Sequence, residues 1–298
     1  MLKFGWFSTG RDEAARQLLQ AAQSEIHSGE INGKIGFVFS NREPGESKES
    51  DLFFELVKSY GIPLVCFSHR EFKARLLPPR GVYPERDSSV ASLPQNDGGR
   101  KARDDRKRRA RGRNDIALME EWRLRYDREV DKRVAKFAPD LCVLAGYMLI
   151  VGQELCQKYS MINLHPAPPG GPRGSWQEVI WTLIQGKAQE AGAMMHLVTP
   201  ELDRGPVVGY CIFPIRGKPF DPYWQKGDKD MLFQLIRQHE LAREFPLIIS
   251  TLKALSQGEI RIRDGKVMDA QGRSIEGYDL SAKIDKAVES KIASLRSQ

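Results

Sequence analysis

Residues 2–41 read LKFGWFSTGRDEAARQLLQAAQSEIHSGEINGKIGFVFSN, and the order of signals within them decides the fold class. A short apolar run at 2–8 reads as a strand. The stretch 12–29 that follows reads as a helix with acidic residues in its first turn, where they favour the helix dipole. The run at 34–41 is a second strand. Outward from there the alternation continues, with a helix at 50–61 closed by Gly61 and a third strand at 63–68. Strands alternating with helices predict an α/β fold with a doubly wound, mostly parallel sheet.

From about Leu76 to Asp115 the pattern stops. Prolines stand at 78, 79, 84 and 94, and residues 100–113, RKARDDRKRRARGR, hold nine Lys/Arg against two Asp. That run alone carries a net charge of +7, the value for the whole chain, so the rest is balanced. We read residues 77–115 as a basic insertion, disordered in part, because a long stretch without apolar periodicity does not pack into a core. Order is expected to return with a helix at 117–137 and a strand at 140–146. A strand holding Asn163 and His165 follows, then a helix near 176–185, strands at 191–200 and 206–215, and a helix from about 229 to 256. A hairpin closes the series, with Asp264-Gly265 as its turn. The reading is one catalytic domain over 1–275, interrupted by 77–115, with a tail at 276–298.

The chain has 298 residues, 41% hydrophobic and 29% charged, enough to bury a sizeable core. No apolar run approaches the roughly 20 residues of a membrane helix, and the N-terminus lacks a signal-peptide pattern. Four cysteines without CxxC spacing and five scattered histidines point to reduced thiols, a cytoplasmic location and no metal site.

The segment MINLHPAPPGGPRGSWQEVIW, 161–181, sets a histidine between an apolar run and a Pro/Gly loop. At period two, Asn163 and His165 share one side of a strand, near its carboxyl end, where open α/β sheets bind ligands. From this stretch alone, a core histidine capping the strand and a catalytic histidine are both open readings.

Several segments then occur together: FVFSNR at 37–42, YDREVDKRVAKFAPD at 126–140, VLAGYM at 143–148, Asn163-Leu-His165-Pro166, Glu201-Leu-Asp203-Arg-Gly205-Pro206, and REFPLIIS at 243–250. In this order they resemble the folate-dependent formyltransferases, most closely the phosphoribosylglycinamide formyltransferase branch. The resemblance implies a Rossmann-like formyltransferase fold with a C-terminal helix plus hairpin. It implies 10-formyltetrahydrofolate as formyl donor and a small-molecule primary amine as acceptor, by default glycinamide ribonucleotide in purine biosynthesis. It assigns catalysis to Asn163, His165 and Asp203, and folate binding to Arg123, Met148, Leu149, Ile150, Val151 and Asn163. Those residue types suit the chemistry. An amine attacking a formyl carbon creates an oxyanion that a carboxamide can stabilise, and protons must travel from the amine to the departing folate nitrogen.

On the amine side the match thins. Members of that branch hold a phosphate on a Gly-Ser-Asn turn after the first strand, whereas this chain has Gly10-Arg11-Asp12-Glu13, whose carboxylates repel an anion. Gly10 and Arg11, with Gln238 and Glu240 near the position of a ribose-holding glutamate, are the candidate substrate contacts. At that position itself stands Leu241. Leu149 replaces an arginine common in the folate segment. The Pro172-Arg173-Gly174 loop with Trp176 and Trp181 has a weak likeness to methionyl-tRNA and amino-sugar formyltransferases. Other readings are therefore an amino sugar or another amine as acceptor, hydrolysis of the folate, or nucleic-acid binding through the basic residues 100–113. Oligomeric state is not legible in the sequence.

Overall fold

The computed structural model describes the backbone of residues 1–76 and 101–296, and the side chains of residues 1–76 and 118–289. The first apolar runs form β1 (Leu2–Phe7), β2 (Gly33–Ser40) and β3 (Leu64–Cys66), linked by α1 (Glu13–His27) and α2 (Lys48–Ser59). Next come α3 (His69–Leu76), α4 (Lys101–Val134), β4 (Leu141–Leu144), α5 (Gln153–Lys158), β5 (Met161–His165) and α6 (Trp176–Gln185). The chain then forms β6 (Glu190–Leu197), β7 (Val207–Pro214), α7 (Asp221–Lys226) and the long α8 (Lys229–Gln257). It ends with the hairpin β8 (Ile260–Arg263) and β9 (Lys266–Asp269), then β10 (Tyr278–Asp279) and α9 (Ser281–Arg296).

Eight strands make one sheet in the order β10-β7-β6-β5-β4-β1-β2-β3. The pairs from β3 through β5 are parallel, and β6 runs antiparallel to both of its neighbours. Alternation of apolar side chains along β1 fills both faces. Phe4 and Trp6 join a core with α1, α2 and α8, while Phe7 joins Phe37, Phe39 and the face of α4 that carries Trp122, Tyr126, Val130 and Val134. Those four recur every fourth residue, the spacing that keeps one helical stripe on a sheet. Local signals fix the helix starts: Asp12 accepts the Ala15 N–H at 3.1 Å, and Ser175 with Glu178 forms a capping box on α6. All four cysteines are free thiols.

Two expectations differ from what is found. The helix before β4 begins at Lys101, within the stretch read as an irregular insertion; residues 77–100 lie outside the described residues. The segment read as a tail is part of the fold. Tyr278 and Asp279 pair with β7, and Leu280 and Ile284 are buried in the same core as α8. Leu280, Ile284 and Val288 stand four residues apart, an apolar stripe long enough to dock a helix.

Candidate active site

Strand order reverses between β1 and β4, because β2 and β3 lie on one side of β1 and β4 and β5 on the other. In an open α/β sheet the carboxyl ends at such a switch point border a crevice. Here the segment after β4 occupies it. The Thr9 hydroxyl, just past β1, accepts the Met148 N–H at 3.0 Å, and Asp127 of α4 accepts the Gly152 N–H at 2.5 Å. Burial pushes the Asp127 carboxyl up to about 6, against the lowering effect of that N–H and of Arg123.

Residues 148–151 are thus held at both ends through their backbone. Met148, Leu149, Ile150 and Val151 form one wall of a cavity of about 190 Å³, whose other wall includes Asn163, His196 and Asp203. Arg123 sits one turn before Asp127 on α4, its stem beside Gly152, and flanks this segment without lining the cavity.

β5 sends Met161, Asn163 and His165 to one side, while Ile162 and Leu164 pack into the opposite core. Its antiparallel pairing sets His196 of β6 directly across from Asn163. The loop after β6 then returns Asp203 to both histidines. His165 Nδ1 lies 3.7 Å from Asp203 Oδ2, and His196 Nε2 lies 3.5 Å from Asp203 Oδ1. His165 and His196 are 3% and 2% exposed, so bulk water does not compete for these contacts.

Each histidine has its other nitrogen committed. His165 Nε2 donates to the Pro172 carbonyl at 3.0 Å, and His196 Nδ1 donates to the Leu197 carbonyl at 2.9 Å. A carbonyl only accepts, so each of those nitrogens carries a proton, and the nitrogen facing Asp203 is protonated only in an imidazolium. The site is therefore built to hold a proton between two imidazoles and one carboxylate. His196 beside Asp203 holds its carboxyl below the usual range, aided by the charges of His165 and Arg173 and opposed by burial.

Backbone geometry aims that carboxylate. Asp203 has φ of 53°, in the left-handed region that aspartate tolerates better than most residues. Two residues on, a Cβ at Gly205 would overlap the Leu197 carbonyl oxygen, so the Asp-x-Gly-Pro turn requires glycine to lie against β6. Asn163, His165 and Asp203 are brought together as the sequence implies. His196 joins them; its place at the site depends on strand pairing, which the sequence pattern does not display.

The four candidate substrate residues do not converge. Gly10 is packed against the Phe53 ring with φ of 61°, and Arg11 is exposed and paired with Asp12 at 3.3 Å. Asp12 caps α1 itself, which takes up a backbone donor that an anion would need. On α8, Gln238 is exposed, while Glu240 is fully buried beside Arg237, its carboxyl pushed by burial up to about 8. Neither lines the cavity beside Asn163.

Residues 7–216 match the formyl transferase family, a stretch that contains Asn163, His165, His196 and Asp203. The chain belongs to this family. As a formyl transferase it is a folate-dependent enzyme whose donor co-substrate is 10-formyltetrahydrofolate. It is 27% identical over 166 residues to the phosphoribosylglycinamide formyltransferase of Escherichia coli K12, covering 55% of this chain and 72% of that protein. With the enzyme of the same name from Schizosaccharomyces pombe it shares 37% identity over 90 residues, 28% of this chain and 44% of the relative. The solved phosphoribosylglycinamide formyltransferase of Coxiella burnetii superposes with a TM-score of 0.58 at 18% identity, covering 93% of this chain and 98% of that one. At that identity the likeness concerns the fold. The formyl transferase match ends before α7, so Gln238, Glu240 and the β8–β9 hairpin lie beyond it.

Proposed function

We propose that this formyl transferase moves the formyl group of 10-formyltetrahydrofolate onto a primary amine, with Asn163, His165 and Asp203 at the reacting centre. The observation that carries the reading is the meeting of His165 and Asp203 on the face of β5 that also presents Asn163, beside a cavity walled by the 148–151 backbone. Folate sits against that backbone, with Arg123 flanking it. The amine nitrogen attacks the formyl carbon, and the carbonyl electron pair moves to oxygen. The Asn163 carboxamide donates to this oxyanion. A proton leaves the amine, passes by way of His165, and reaches the folate nitrogen as its bond to carbon breaks. The products are a formamide and tetrahydrofolate. Asp203 keeps His165 oriented and balances its charge while it holds the proton.

Glycinamide ribonucleotide is the acceptor named by the resemblance, yet α1 is an unsuitable seat for its phosphate. Asp12 caps the helix and Glu13 adds a second negative charge in its first turn. We therefore expect another primary amine to be the better acceptor. The test follows loss of 10-formyltetrahydrofolate against a panel of amines, glycinamide ribonucleotide first. The reading expects poor use of that nucleotide, and a kcat/KM above about 10⁴ M⁻¹s⁻¹ for it would contradict this.

A further inference from the structure

A second cavity, of about 500 Å³, shares Asp203 with the cavity of residues 148–151 and is lined by His165. Its floor includes His165 and Met194, and Asp203 belongs to the walls of both cavities. The rim is basic. Arg173 comes from the loop after β5, Arg204 from the turn after Asp203, and Lys266 from the β8–β9 hairpin. All three are exposed, and none forms a salt bridge with a described residue. The lining carboxylates are Asp203, already engaged by two histidines, and Glu276. Three cations from three separate segments, set around a cavity that ends at the candidate general acid–base, suit an anion whose other end reaches that group.

We propose that this cavity is the acceptor pocket and that it takes a short primary amine bearing a phosphate or carboxylate, without the ribose for which the buried Glu240 offers no contact. Arg173, Arg204 and Lys266 grip the anionic group, in place of the N-terminus of α1. The proposal rests on the formyl-transfer reading for the role of the amine, whereas the anion site stands on the cavity alone. Donor and acceptor then occupy the two cavities that share Asp203, and the attacking nitrogen arrives at His165. The guanidinium groups bind either anion through paired N–H donors.

The test uses the full chain and an Arg173→Gln, Arg204→Gln, Lys266→Gln triple variant. Calorimetric binding is measured for O-phosphoethanolamine, β-alanine and ethanolamine, alongside binding of 10-formyltetrahydrofolate. At least one anionic amine should bind the wild type about tenfold or more tightly than ethanolamine. The triple variant should lose that preference while its folate binding stays the same, and the two anionic probes separate phosphate from carboxylate recognition. Equal binding of all three amines by the wild type, or an unchanged preference in the triple variant, would overturn the proposal. So would loss of the preference in Arg11→Gln with retention in the triple variant, since that places the anion at α1. Anion binding that depends on the three cations, with no formyl transfer to any amine, would overturn the catalytic reading and leave the anion site standing.

Discussion

Two histidines on neighbouring strands reach the same carboxylate, each with its far nitrogen tied to a backbone carbonyl. Removing His165 takes away the proposed proton carrier but leaves the 148–151 cavity, anchored by Thr9 and Asp127, in place. His165→Ala should lower turnover by about 10² or more with folate affinity within about twofold of wild type. Steady-state kinetics with a parallel folate titration check this, and wild-type turnover would remove His165 from the mechanism. The meeting of His165 and Asp203 beside Asn163 was legible because the segments that carry them resemble a family motif. His196 was not. It stands at the same site because β5 and β6 pair with Asn163 opposite it, and a cross-strand register is a long-range property that no local pattern encodes.

Helix α8 shows how periodicity and motif can disagree. Ile236, Glu240, Arg243 and Leu247 are buried at helical spacing, so Glu240 falls on the face that packs against the sheet, while Gln238 falls off it. The position of a ribose-holding glutamate falls on Leu241, and its neighbour Glu240, the candidate contact, lies on the helical stripe that faces the interior. Burial raises its carboxyl to about 8 from an ordinary value near 4.5. A carboxyl raised in this way stays protonated in the folded chain while the unfolded chain ionises. Its cost is therefore absent below about pH 4.5 and grows as pH rises towards 8. Glu240→Gln should accordingly raise the melting temperature at pH 8 by several degrees, on the order of a few kcal/mol, with a much smaller gain at pH 5. A pH-independent difference in thermal melts would contradict the assignment. The amphipathic α1 and α6, and the long α8, were legible. The short α3, α5 and α7 were not, nor was β10, whose two residues depend on the edge of β7 to become a strand.

At the scale of the whole molecule, the strand order creates the crevice and the chain fills it from two directions. The reversal at β1 and β4 leaves residues 148–151 at the carboxyl ends of parallel strands. Antiparallel β6 then turns the Asp203 loop back across β5. This one loop carries Asp203 into the walls of both cavities. The alternation of strands and helices foretold the doubly wound sheet. The second cavity could not be read, since its rim draws on three segments far apart in sequence. In the proposed reaction the formyl group passes to an amine beside His165 and Asp203. The most direct measurement supplies the donor with a ¹³C-labelled formyl carbon and follows the label by NMR, with and without an anionic primary amine. Labelled formamide should appear in step with tetrahydrofolate, dependent on the amine and lost in His165→Ala. Labelled formate released at the same rate whether or not an amine is present would contradict it, making water the acceptor.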